Sequence, residues 1–318
     1  MSKLKFEFIK DIAQGIREAL QPHLNQPGIK TTSHTAFSGD TTFEIDTIAE
    51  DTLHAAVEKS NHKMAYFSED KGLVKFEPNP QWLLVVDPID GTRPLACGFE
   101  TAVVSIALCD YSEVATFGSL LAGVIVEIKD GHWHYAERGC GVQTGPFGAP
   151  RVRPSGTAEI ENMFWSFDII GRPTERVLGY LGGLIDATGM NAAAFLFNSS
   201  AYSLTRIVTG QLDAYVDVGA RILQDIPESE AEFVVIGRGQ IMGTFPYDIA
   251  AAYIIVQEAN CIITDAYGQS LDRFLLIRHG KSAVISCVVA SNRELHRKIL
   301  NEIARKGKQI TSKDERSN

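Results

Sequence analysis

The sequence predicts an α+β fold in two halves, and three observations lead to that prediction. The first half places apolar residues at helical spacing and then breaks into short apolar runs separated by turns. The second half alternates strand-like and helix-like segments, a pattern typical of a sheet covered by helices. The chain of 318 residues is long for one packed core and short for three, so two domains or two tightly joined halves are expected.

The first half is predicted to begin with two amphipathic helices. The first helix carries five apolar side chains on one face: Phe8, Ile9, Ile12, Ile16 and Leu20. It should end near Gln21 and Pro22. The second helix runs through TFEIDTIAEDTLHAAVEKS, and MAYFSED and QWLLVVD follow as short buried strands that each end on an acidic residue. Later apolar runs and the turn at Asp130 and Gly131 predict a hairpin, so this half should form a mostly antiparallel sheet.

A stretch rich in glycine and proline, RGCGVQTGPFGAPRVRPSG, marks the predicted boundary near residues 145–156. It divides the chain into residues 1–150, which carry most of the acidic motifs, and residues 151–318. In the second part, the strands NMFWSF, AAFLF and DAYVDV alternate with helices near residues 174–186 and in AYSLTRIVTG. An irregular stretch, 219–246, is predicted before a helix in YDIAAAYIIVQEA and two last strands. The C-terminal RKGKQITSKDERSN is predicted to be frayed.

Composition and charge limit the kinds of molecule that the protein is expected to bind. A formal net charge of -9 argues against a nucleic-acid groove or an anionic membrane as the main partner. The N-terminal MSKLKFEFIKDIAQ lacks the apolar core of a signal peptide, and no run approaches the ~18 uncharged apolar residues of a transmembrane helix. The five cysteines are widely spaced and mostly set in apolar runs, which is typical of reduced thiols. These features predict a cytoplasmic protein that binds neither nucleic acid nor membrane.

The stretch WLLVVDPIDGTRP ends an apolar strand on two acidic residues. Asp87 and Asp90 are separated by Pro88 and Ile89, and the fixed φ of proline stiffens the turn so that both carboxylates could point to one place. Two bare carboxylates ~4 Å apart repel each other by ~4 kcal/mol at an effective dielectric of about 20. They would therefore either share a proton or bind a divalent cation. The alternative is a surface Asp-Gly turn, which the four apolar residues before Asp87 disfavour.

Neighbouring acidic residues favour the cation. Glu69 and Asp70 end the strand in YFSED, and Asp248 opens the helix in YDIAAA. Oxygen donors from separate elements, with no His or Cys among them, are the ligands that Mg²⁺ prefers. Gly91 and Thr92 follow the acidic pair, where backbone N–H groups could receive a phosphate oxygen and Thr92 adds a hydroxyl group. The residues therefore predict a magnesium site that can meet a phosphate.

Together, DPIDGT, the upstream SED and the downstream YDIAAAYIIVQEANCIITDAYG resemble the inositol monophosphatase family of magnesium-dependent, lithium-sensitive phosphatases. The resemblance covers roughly residues 40–292, with the three motifs in the family's order. It implies a layered α/β/α/β/α sandwich of the sugar-phosphatase type, in which two α/β subdomains share one active site. It also implies Mg²⁺-dependent hydrolysis of a phosphate monoester, inositol monophosphate or a related polyol or sugar phosphate, by a metal-activated water.

The resemblance implies a role for each motif residue. The metal ligands would be Glu69, Asp87, the Ile89 carbonyl, Asp90 and Asp248. Asp46 and Thr92 would activate the attacking water. Glu69 would be a catalytic residue as well as a metal ligand. The substrate contacts would be Asp90, Gly91, Thr92 and, in QLDAYVDVG, Asp217. The implied cofactor is Mg²⁺, as two or three ions, for which Mn²⁺ could substitute and Li⁺ would be inhibitory.

Some positions depart from the family pattern. The segment Arg93-Pro94-Leu95 stands where the family usually has a charged or small residue and then Asn-Phe. Asn260-Cys261 stands where a pair of glycines is expected. Residues 219–246 are much longer than the corresponding stretch of the family. Because this insertion lies between Asp217 and Asp248, it is predicted to line or cover the substrate pocket.

Several alternatives stay open. Relatives in the family act on phosphoadenosine phosphate, histidinol phosphate or fructose bisphosphate, and some members are regulatory proteins. Arg93, Arg221 and Arg238 could bind a second substrate phosphate or could be ordinary surface residues. His132 and His134 lie after an Asp-Gly turn, which is more typical of a hairpin rim than of a zinc site. The predicted partner is a small phosphorylated substrate, and the resemblance implies a homodimer.

Overall fold

Helices and strands alternate along most of the chain. The computed structural model describes residues 2–24, 32–37, 39, 41–60, 62–146 and 148–317. Within these residues the helices are α1 (Ser2–Leu20), α2 (Glu44–Glu58), α3 (Thr92–Ala96), α4 (Thr174–Thr188), α5 (Ser200–Val208), α6 (Gly219–Asp225), α7 (Glu230–Ile236), α8 (Pro246–Glu258) and α9 (Arg293–Ser317). The strands are β1 (Thr32–Thr35), β2 (Thr41–Phe43), β3 (Met64–Ser68), β4 (Gly72–Lys75), β5 (Trp82–Asp90), β6 (Val103–Asp110), β7 (Leu120–Glu127), β8 (Trp133–Glu137), β9 (Val142–Gly145), β10 (Phe164–Phe167), β11 (Ala193–Phe195), β12 (Ala214–Asp217), β13 (Ile262–Thr264) and β14 (Cys287–Ala290).

Two sheets organise these elements. The larger sheet has seven strands in the order β4-β3-β5-β6-β7-β8-β9, and its neighbouring strands are antiparallel except for β3 and β5. The smaller sheet has five strands in the order β11-β10-β12-β14-β13. In it, β10 is parallel to both neighbours and β14 is antiparallel to both. The predicted α+β class, with a mostly antiparallel first sheet, is confirmed.

Helices form three layers that alternate with the two sheets. α1 and α2 pack on one face of the seven-stranded sheet, whereas α5 and α8 lie between the two sheets. α4 and α9 cover the other face of the five-stranded sheet. The result is the α/β/α/β/α arrangement that the resemblance implies. α8 is buried along almost its whole length, as expected for a helix that is apolar on every side and lies inside a protein.

The position of strand β5 between two layers of helices explains why its sequence is apolar at successive positions. Leu83 and Val85 pack in the core cluster that contains α8 and the five-stranded sheet. Leu84 and Val86 pack in the cluster that contains α1 and α2. Successive strand residues point to opposite faces, so a strand covered by helices on both faces needs apolar residues throughout. The same strand then carries Asp87 to the edge of the core.

The core is continuous across the predicted boundary near residues 145–156. One buried cluster contains Phe67 from the first half together with Trp165 and Tyr253 from the second. These side chains meet because α8, from the second half, packs against the seven-stranded sheet. The division into subdomains 1–150 and 151–318 stays a prediction.

Residues 219–246 differ from the irregular stretch that the sequence predicts. They form α6, a 3₁₀ turn at Pro227–Ser229 and α7 before the chain enters α8. Each of the two helices has seven residues, about two turns, which is too short for helical periodicity to be visible in the sequence. The predicted frayed C-terminus is also wrong, because α9 continues to Ser317. The β1–β2 pair is a further element that the sequence did not indicate.

The cysteines agree with the prediction of reduced thiols. All five are free: Cys109, Cys261 and Cys287 are buried, and Cys97 and Cys140 are exposed. Among the described residues, no helix combines the length and the apolar character needed to cross a bilayer.

Candidate active site

A cavity of about 740 Å³ lies where β5 ends and where α2 and α8 begin. Eight of the predicted site residues line it: Asp46, Glu69, Asp87, Ile89, Asp90, Gly91, Thr92 and Asp248. Asp217 does not belong to its lining. Four separate stretches of the sequence, at residues 46, 69, 87–92 and 248, therefore meet in one place, and the ninth predicted residue lies outside it.

A bulge in β5 positions the acidic pair. Asp87 pairs with Ser105 of β6 and Asp90 pairs with Val103, so two residues of β5 face one residue of β6 between these pairs. A bulge bends the strand and redirects its side chains. The Ile89 N–H donates to Asp87 Oδ1 at 3.0 Å, which holds the turn. Both carboxylates consequently reach the same cavity although they are three positions apart.

The start of α5 holds the Asp90 carboxylate. Its Oδ2 accepts the Ala201 N–H at 2.6 Å and the Ser199 hydroxyl at 2.8 Å. Backbone N–H groups at a helix N-terminus favour a negative charge. Burial nevertheless raises the pKa of Asp90 to about 7, although both hydrogen bonds act to lower it. This carboxylate is therefore incompletely ionised at neutral pH in the absence of a cation.

Asp87 and Asp248 lie in the same electrostatic environment. Burial raises the pKa of Asp87 well above its usual value, and the charges of Glu69, Asp90 and Asp248 raise it further. Burial and the charge of Asp90 also raise the pKa of Asp248. Carboxylates that crowd together in this way favour a bound cation. Because the donors are all oxygens, the group fits Mg²⁺ or another hard divalent ion.

Asp46 and Asp248 occupy equivalent places at the starts of two helices. Asp46 is the third residue of α2, and its Oδ2 accepts the Phe43 N–H at 2.7 Å. Asp248 is the third residue of α8, and its Oδ2 accepts the Phe245 N–H at 2.6 Å. Each carboxylate thus satisfies a backbone N–H that the helix leaves unpaired. The same bond fixes one oxygen and orients the side chain toward the cavity.

Thr92 and Asp46 form a hydrogen-bonded pair in the cavity wall. The Thr92 hydroxyl donates to Asp46 Oδ1 at 2.8 Å and lies 3.1 Å from the Ile89 carbonyl oxygen. Since the Thr92 hydroxyl already donates its hydrogen, a water molecule beside it would donate a hydrogen bond to the lone pairs of Thr92 Oγ1. The pair could orient such a water and accept its proton.

Asp217 is enclosed in a network of hydrogen bonds beside the cavity. Its side chain is 0% exposed and its Oδ2 accepts from the Arg172 guanidinium. The Thr244 hydroxyl donates to the same oxygen at 2.7 Å, and the Gly219 N–H donates to Oδ1 at 2.6 Å. Both oxygens therefore already accept hydrogen bonds from the protein. The predicted contact between Asp217 and substrate hydroxyl groups stays a prediction.

Asp168 is an acidic residue of the cavity that none of the recognised motifs indicates. It follows β10 directly, lines the cavity and is 8% exposed. Its Oδ2 accepts the Tyr215 hydroxyl at 2.5 Å and the Ser200 hydroxyl at 3.2 Å. A sequence signal for it exists, because FWSFD ends an apolar strand on an acidic residue as LLVVD does.

Part of the segment 219–246 forms one wall of the cavity, including Ile236, Arg238 and Met242. Arg93 lies on the wall as well. Arg221 lies elsewhere, buried, in an ion pair at 3.1 Å with Asp225 of the same helix. Of the three arginines that could bind a second phosphate, two therefore reach the cavity.

A second group of metal-ligating residue types lies at the β7–β8 hairpin. Ligand atoms of Glu127, Asp130 and His132 lie within 4.8 Å of one another. Glu127 is buried and forms an ion pair with Arg206, and its other oxygen lies 3.6 Å from His132 Nδ1. Since Arg206 already compensates the Glu127 charge, the arrangement has the character of a structural ion-pair network.

Sequence comparisons place the chain among phosphatase-like proteins. A model of the inositol monophosphatase family matches residues 1–308. A bifunctional NADP phosphatase/NAD kinase of Methanococcus maripaludis is 25% identical over 306 residues, 92% of this chain and 48% of that protein. A fructose-1,6-bisphosphatase/inositol-1-monophosphatase of Methanothermobacter thermautotrophicus is 22% identical over 92% of this chain and 94% of its own length. The Nus factor SuhB of Pseudomonas aeruginosa is 25% identical over 71% of this chain and 72% of its own.

Solved structures share the fold. An inositol monophosphatase of Thermotoga maritima superposes with a TM-score of 0.68 at 19% identity, covering 98% of this chain and 100% of that one. The extragenic suppressor protein SuhB of Bartonella henselae gives a TM-score of 0.71 at 19% identity, covering 94% and 98%. At these identities the likeness concerns the fold. The chain spans about half the length of the bifunctional Methanococcus relative but almost all of the Methanothermobacter one.

Proposed function

Because this chain belongs to the inositol monophosphatase family, we propose that it hydrolyses a phosphate monoester of a polyol or sugar, with Mg²⁺ as cofactor and water as nucleophile. One observation carries the proposal. Asp87, Asp90 and Asp248, whose pKa values are raised, line the same cavity as the hydrogen-bonded pair Asp46 and Thr92. The first group suits a divalent cation, and the pair suits a water molecule that must lose a proton.

The proposed metal ligands are Glu69, Asp87, the Ile89 carbonyl, Asp90 and Asp248. When bound, Mg²⁺ would neutralise these carboxylates, lower the pKa of a water and stabilise charge on the leaving oxygen. Without a cation, the cavity would repel a phosphate monoester, which itself carries nearly two negative charges. Two or three ions, replacement by Mn²⁺ and inhibition by Li⁺ belong to the proposal through the family resemblance.

The protein's own groups would hold the water and the phosphate. Thr92 donates its hydroxyl hydrogen to Asp46, so its oxygen can accept a hydrogen bond from the attacking water. As the water attacks phosphorus, its proton would pass to Thr92 while the Thr92 proton passes to Asp46. Gly91, which has no side chain, would let a phosphate oxygen approach the backbone. No covalent bond between the protein and phosphorus is needed.

The alcohol is the open part of the proposal. A polyol or sugar suits the cavity because polar and charged groups surround it, including Asp168 and Arg238. Inositol monophosphate is the first candidate. Phosphoadenosine phosphate, histidinol phosphate and fructose bisphosphate remain same-class alternatives, and Arg93 and Arg238 are where a second phosphate would bind.

A regulatory protein without catalysis is the second candidate, because one relative is named a Nus factor. All six positions proposed for catalysis are nevertheless present: Asp46, Glu69, Asp87, Asp90, Thr92 and Asp248. A protein that only binds a macromolecular partner has no need of this set. The proposal also includes a homodimer in the cytoplasm, the first from the resemblance and the second from the free cysteines. Sedimentation of the purified protein tests the dimer.

The test is phosphate release from a panel of five compounds: myo-inositol 1-phosphate, fructose 1,6-bisphosphate, phosphoadenosine phosphate, histidinol phosphate and NADP. Each is assayed with Mg²⁺ and with EDTA, using the wild-type protein and Asp87→Asn. We expect Mg²⁺-dependent release with one preferred compound, and a loss of several orders of magnitude in Asp87→Asn. Near-normal activity of that variant would refute the site. If folded wild-type protein releases phosphate from none of the five, the regulatory role becomes the better reading.

A further inference from the structure

Among the acidic residues in or near the cavity that are not proposed metal ligands, Asp217 and Asp168 use their oxygens differently. Asp217 accepts hydrogen bonds on both oxygens, from Gly219 on Oδ1 and from Arg172 and Thr244 on Oδ2. Asp217 is 0% exposed and does not line the cavity, so a substrate hydroxyl group could reach it only if the buried ion pair with Arg172 moved. Removing one partner of such a pair is strongly unfavourable. Asp217 is therefore poorly placed to bind substrate.

Asp168 has an oxygen that the protein does not use. Its two hydrogen bonds, from Tyr215 and Ser200, both end on Oδ2. Within the described part of the chain, Oδ1 accepts no hydrogen bond, and the residue lines the cavity. A carboxylate has about four lone-pair sites, so Oδ1 retains its full capacity. The buried Tyr215 and Ser200 hold the side chain in place, which keeps that oxygen oriented before substrate arrives.

Asp168 also lies close to Asp90, a proposed metal ligand, because adjacent residues at the start of α5 bind the two carboxylates: Ser200 donates to Asp168, and Ser199 and Ala201 donate to Asp90. The negative charge of Asp168 acts on Asp90 and on Asp248 and helps to raise the pKa of each. Arg172 lies near Asp168 but donates its hydrogen bonds to Asp217, Thr244 and the Ile170 carbonyl. The Arg172 charge is thus directed mainly to Asp217. The Asp168 and Arg172 side chains both line the cavity, but only the Asp168 carboxylate can accept a hydrogen bond from a substrate hydroxyl group, because a guanidinium is a donor only.

From these contacts we propose that Asp168, and not Asp217, is the specificity-determining residue that binds a substrate hydroxyl group, on the carbon next to the esterified one. The inference rests on the proposed phosphatase function and specifies how the same site selects its alcohol. Asp168 Oδ1 accepts the hydrogen bond, and Arg172 keeps Asp217 out of the cavity. A hydrogen bond to a charged group contributes enough for about a tenfold effect on substrate selection.

The experiment compares two pairs of esters that differ only in hydroxyl groups: myo-inositol 1-phosphate with cyclohexyl phosphate, and glycerol 1-phosphate with propyl phosphate. kcat and KM are measured in Mg²⁺ for the wild type, Asp168→Ala, Asp168→Asn and Asp217→Asn. The quantity of interest is selectivity, the kcat/KM of the hydroxylated ester divided by that of its partner. The Mg²⁺ concentration at half-maximal thermal stabilisation is measured for the same proteins, as a readout of metal binding that does not depend on turnover.

We expect selectivity to fall about tenfold in Asp168→Ala, and by a smaller factor in Asp168→Asn, which keeps the shape and a polar group. If Asp168→Ala does not fold, Asp168→Asn decides alone. Asp217→Asn should change both members of a pair in the same proportion. Equal losses for both members in the Asp168 variants would overturn the inference, as would a fall in selectivity confined to Asp217→Asn.

Two further outcomes distinguish a failure of this inference from a failure of the proposed phosphatase function on which it rests. If the Mg²⁺ midpoint of Asp168→Asn moves by as large a factor as its selectivity, Asp168 is a metal ligand and the hydroxyl role is wrong, while the phosphatase function stands. If the wild type hydrolyses none of the four esters in Mg²⁺, the inference fails, and the five-compound panel then decides whether the phosphatase function fails with it.

Discussion

Arg172 and Asp217 form an ion pair whose side chains are 4% and 0% exposed. It joins the segment after β10 to the end of β12, 45 residues further along the chain. Thr244 closes the arrangement, since it accepts from Arg172 at 2.9 Å and donates to Asp217 at 2.7 Å. Three distant segments are therefore tied together at the wall of the cavity, which Arg172 and Thr244 help to line.

Replacing only one partner of this ion pair should lower the stability of the folded protein. Arg172→Met leaves the Asp217 carboxylate buried and unpaired, and we expect it to lower the free energy of unfolding by about 3–5 kcal/mol. The double variant Arg172→Met with Asp217→Asn removes both charges and should recover at least half of that loss. Urea unfolding of the wild type, the two single variants and the double variant measures the coupling. Strictly additive losses would show that the two side chains do not depend on each other.

Thr92 should matter for turnover more than for binding. Thr92→Val keeps the shape of the side chain but removes the hydroxyl that joins Asp46 to the water. We expect kcat to fall by about 10²–10⁴-fold, the range of general acid–base catalysis, with KM changed much less. Thr92→Ser is the matched control, because it keeps the hydroxyl and should retain most of the activity. Equal kcat values for the Val and Ser variants would contradict the proposed proton path.

Binding of Mg²⁺ should weaken as the pH falls. Asp90 has a pKa raised to about 7, so between pH 8 and pH 6 a proton increasingly competes with the cation for its carboxylate. Calorimetric titration of the metal-free protein should show a larger dissociation constant at pH 6 than at pH 8. Asp90→Asn should weaken binding at pH 8 by tenfold or more. Asp110→Asn, exposed at the opposite end of β6, is the control and should bind as the wild type does.

The sequence predicts which acidic residues of β5, α2 and α8 reach the cavity, because the signals for them are local. An apolar run followed by Asp87 and Asp90 marks β5, whose two covered faces require such a continuous run. Asp46 and Asp248 open helices whose periodicity or uniform apolar character is visible over more than ten residues. In each case the carboxylate is a neighbour in sequence of the element that carries it, although the bonds that hold Asp90 come from the distant α5.

The sequence does not predict how Asp217 and Asp168 are used, because that depends on contacts between distant segments. DAYVDV identifies a strand that ends on Asp217, but nothing near it shows that Arg172 will take up the carboxylate. Asp168 ends a strand in the same way, and only the positions of Tyr215 and Ser200 show which of its oxygens is unused. The helices of residues 219–246 are missed for a different reason, since their two turns are too short to display a period.

Gly91 should tolerate no side chain. Its φ is +97°, and a Cβ atom there would lie 2.6 Å from the Thr101 carbonyl oxygen and 3.0 Å from the Ser199 side chain. Gly91→Ala should therefore lose both stability and activity, because Ser199 is also a hydrogen-bond donor to Asp90. Gly139→Ala is the matched control: its φ is +77° and a Cβ atom meets nothing within 4 Å. It should lose only the ~1–2 kcal/mol of the left-handed backbone. Equal melting temperatures for the two variants would contradict the close approach at Gly91.

Glu50 lies one turn beyond Asp46 on α2 and links that helix to the strand that ends before Glu69. The Ser68 hydroxyl donates to Glu50 Oε1 at 2.8 Å, and the side chain is buried. Burial raises the pKa of Glu50 from 4.5 to about 7, although the bond from Ser68 opposes the shift. The folded protein thus holds this proton to a higher pH than the unfolded chain does.

The stability of the protein should consequently fall as pH rises through that window. Below about pH 4.5 Glu50 is protonated in both states and makes no difference to stability. Above about pH 7 it is ionised in both states, and the full cost of the buried charge, about 3 kcal/mol, is present. Glu50→Gln cannot ionise, so it should gain free energy of unfolding relative to the wild type between pH 5 and pH 8. Glu58→Gln, exposed on the same helix, should follow the wild type. Urea unfolding of the three proteins in EDTA at several pH values measures the difference. Parallel pH profiles for wild type and Glu50→Gln would mean that Glu50 ionises as easily in the folded protein as in the unfolded chain.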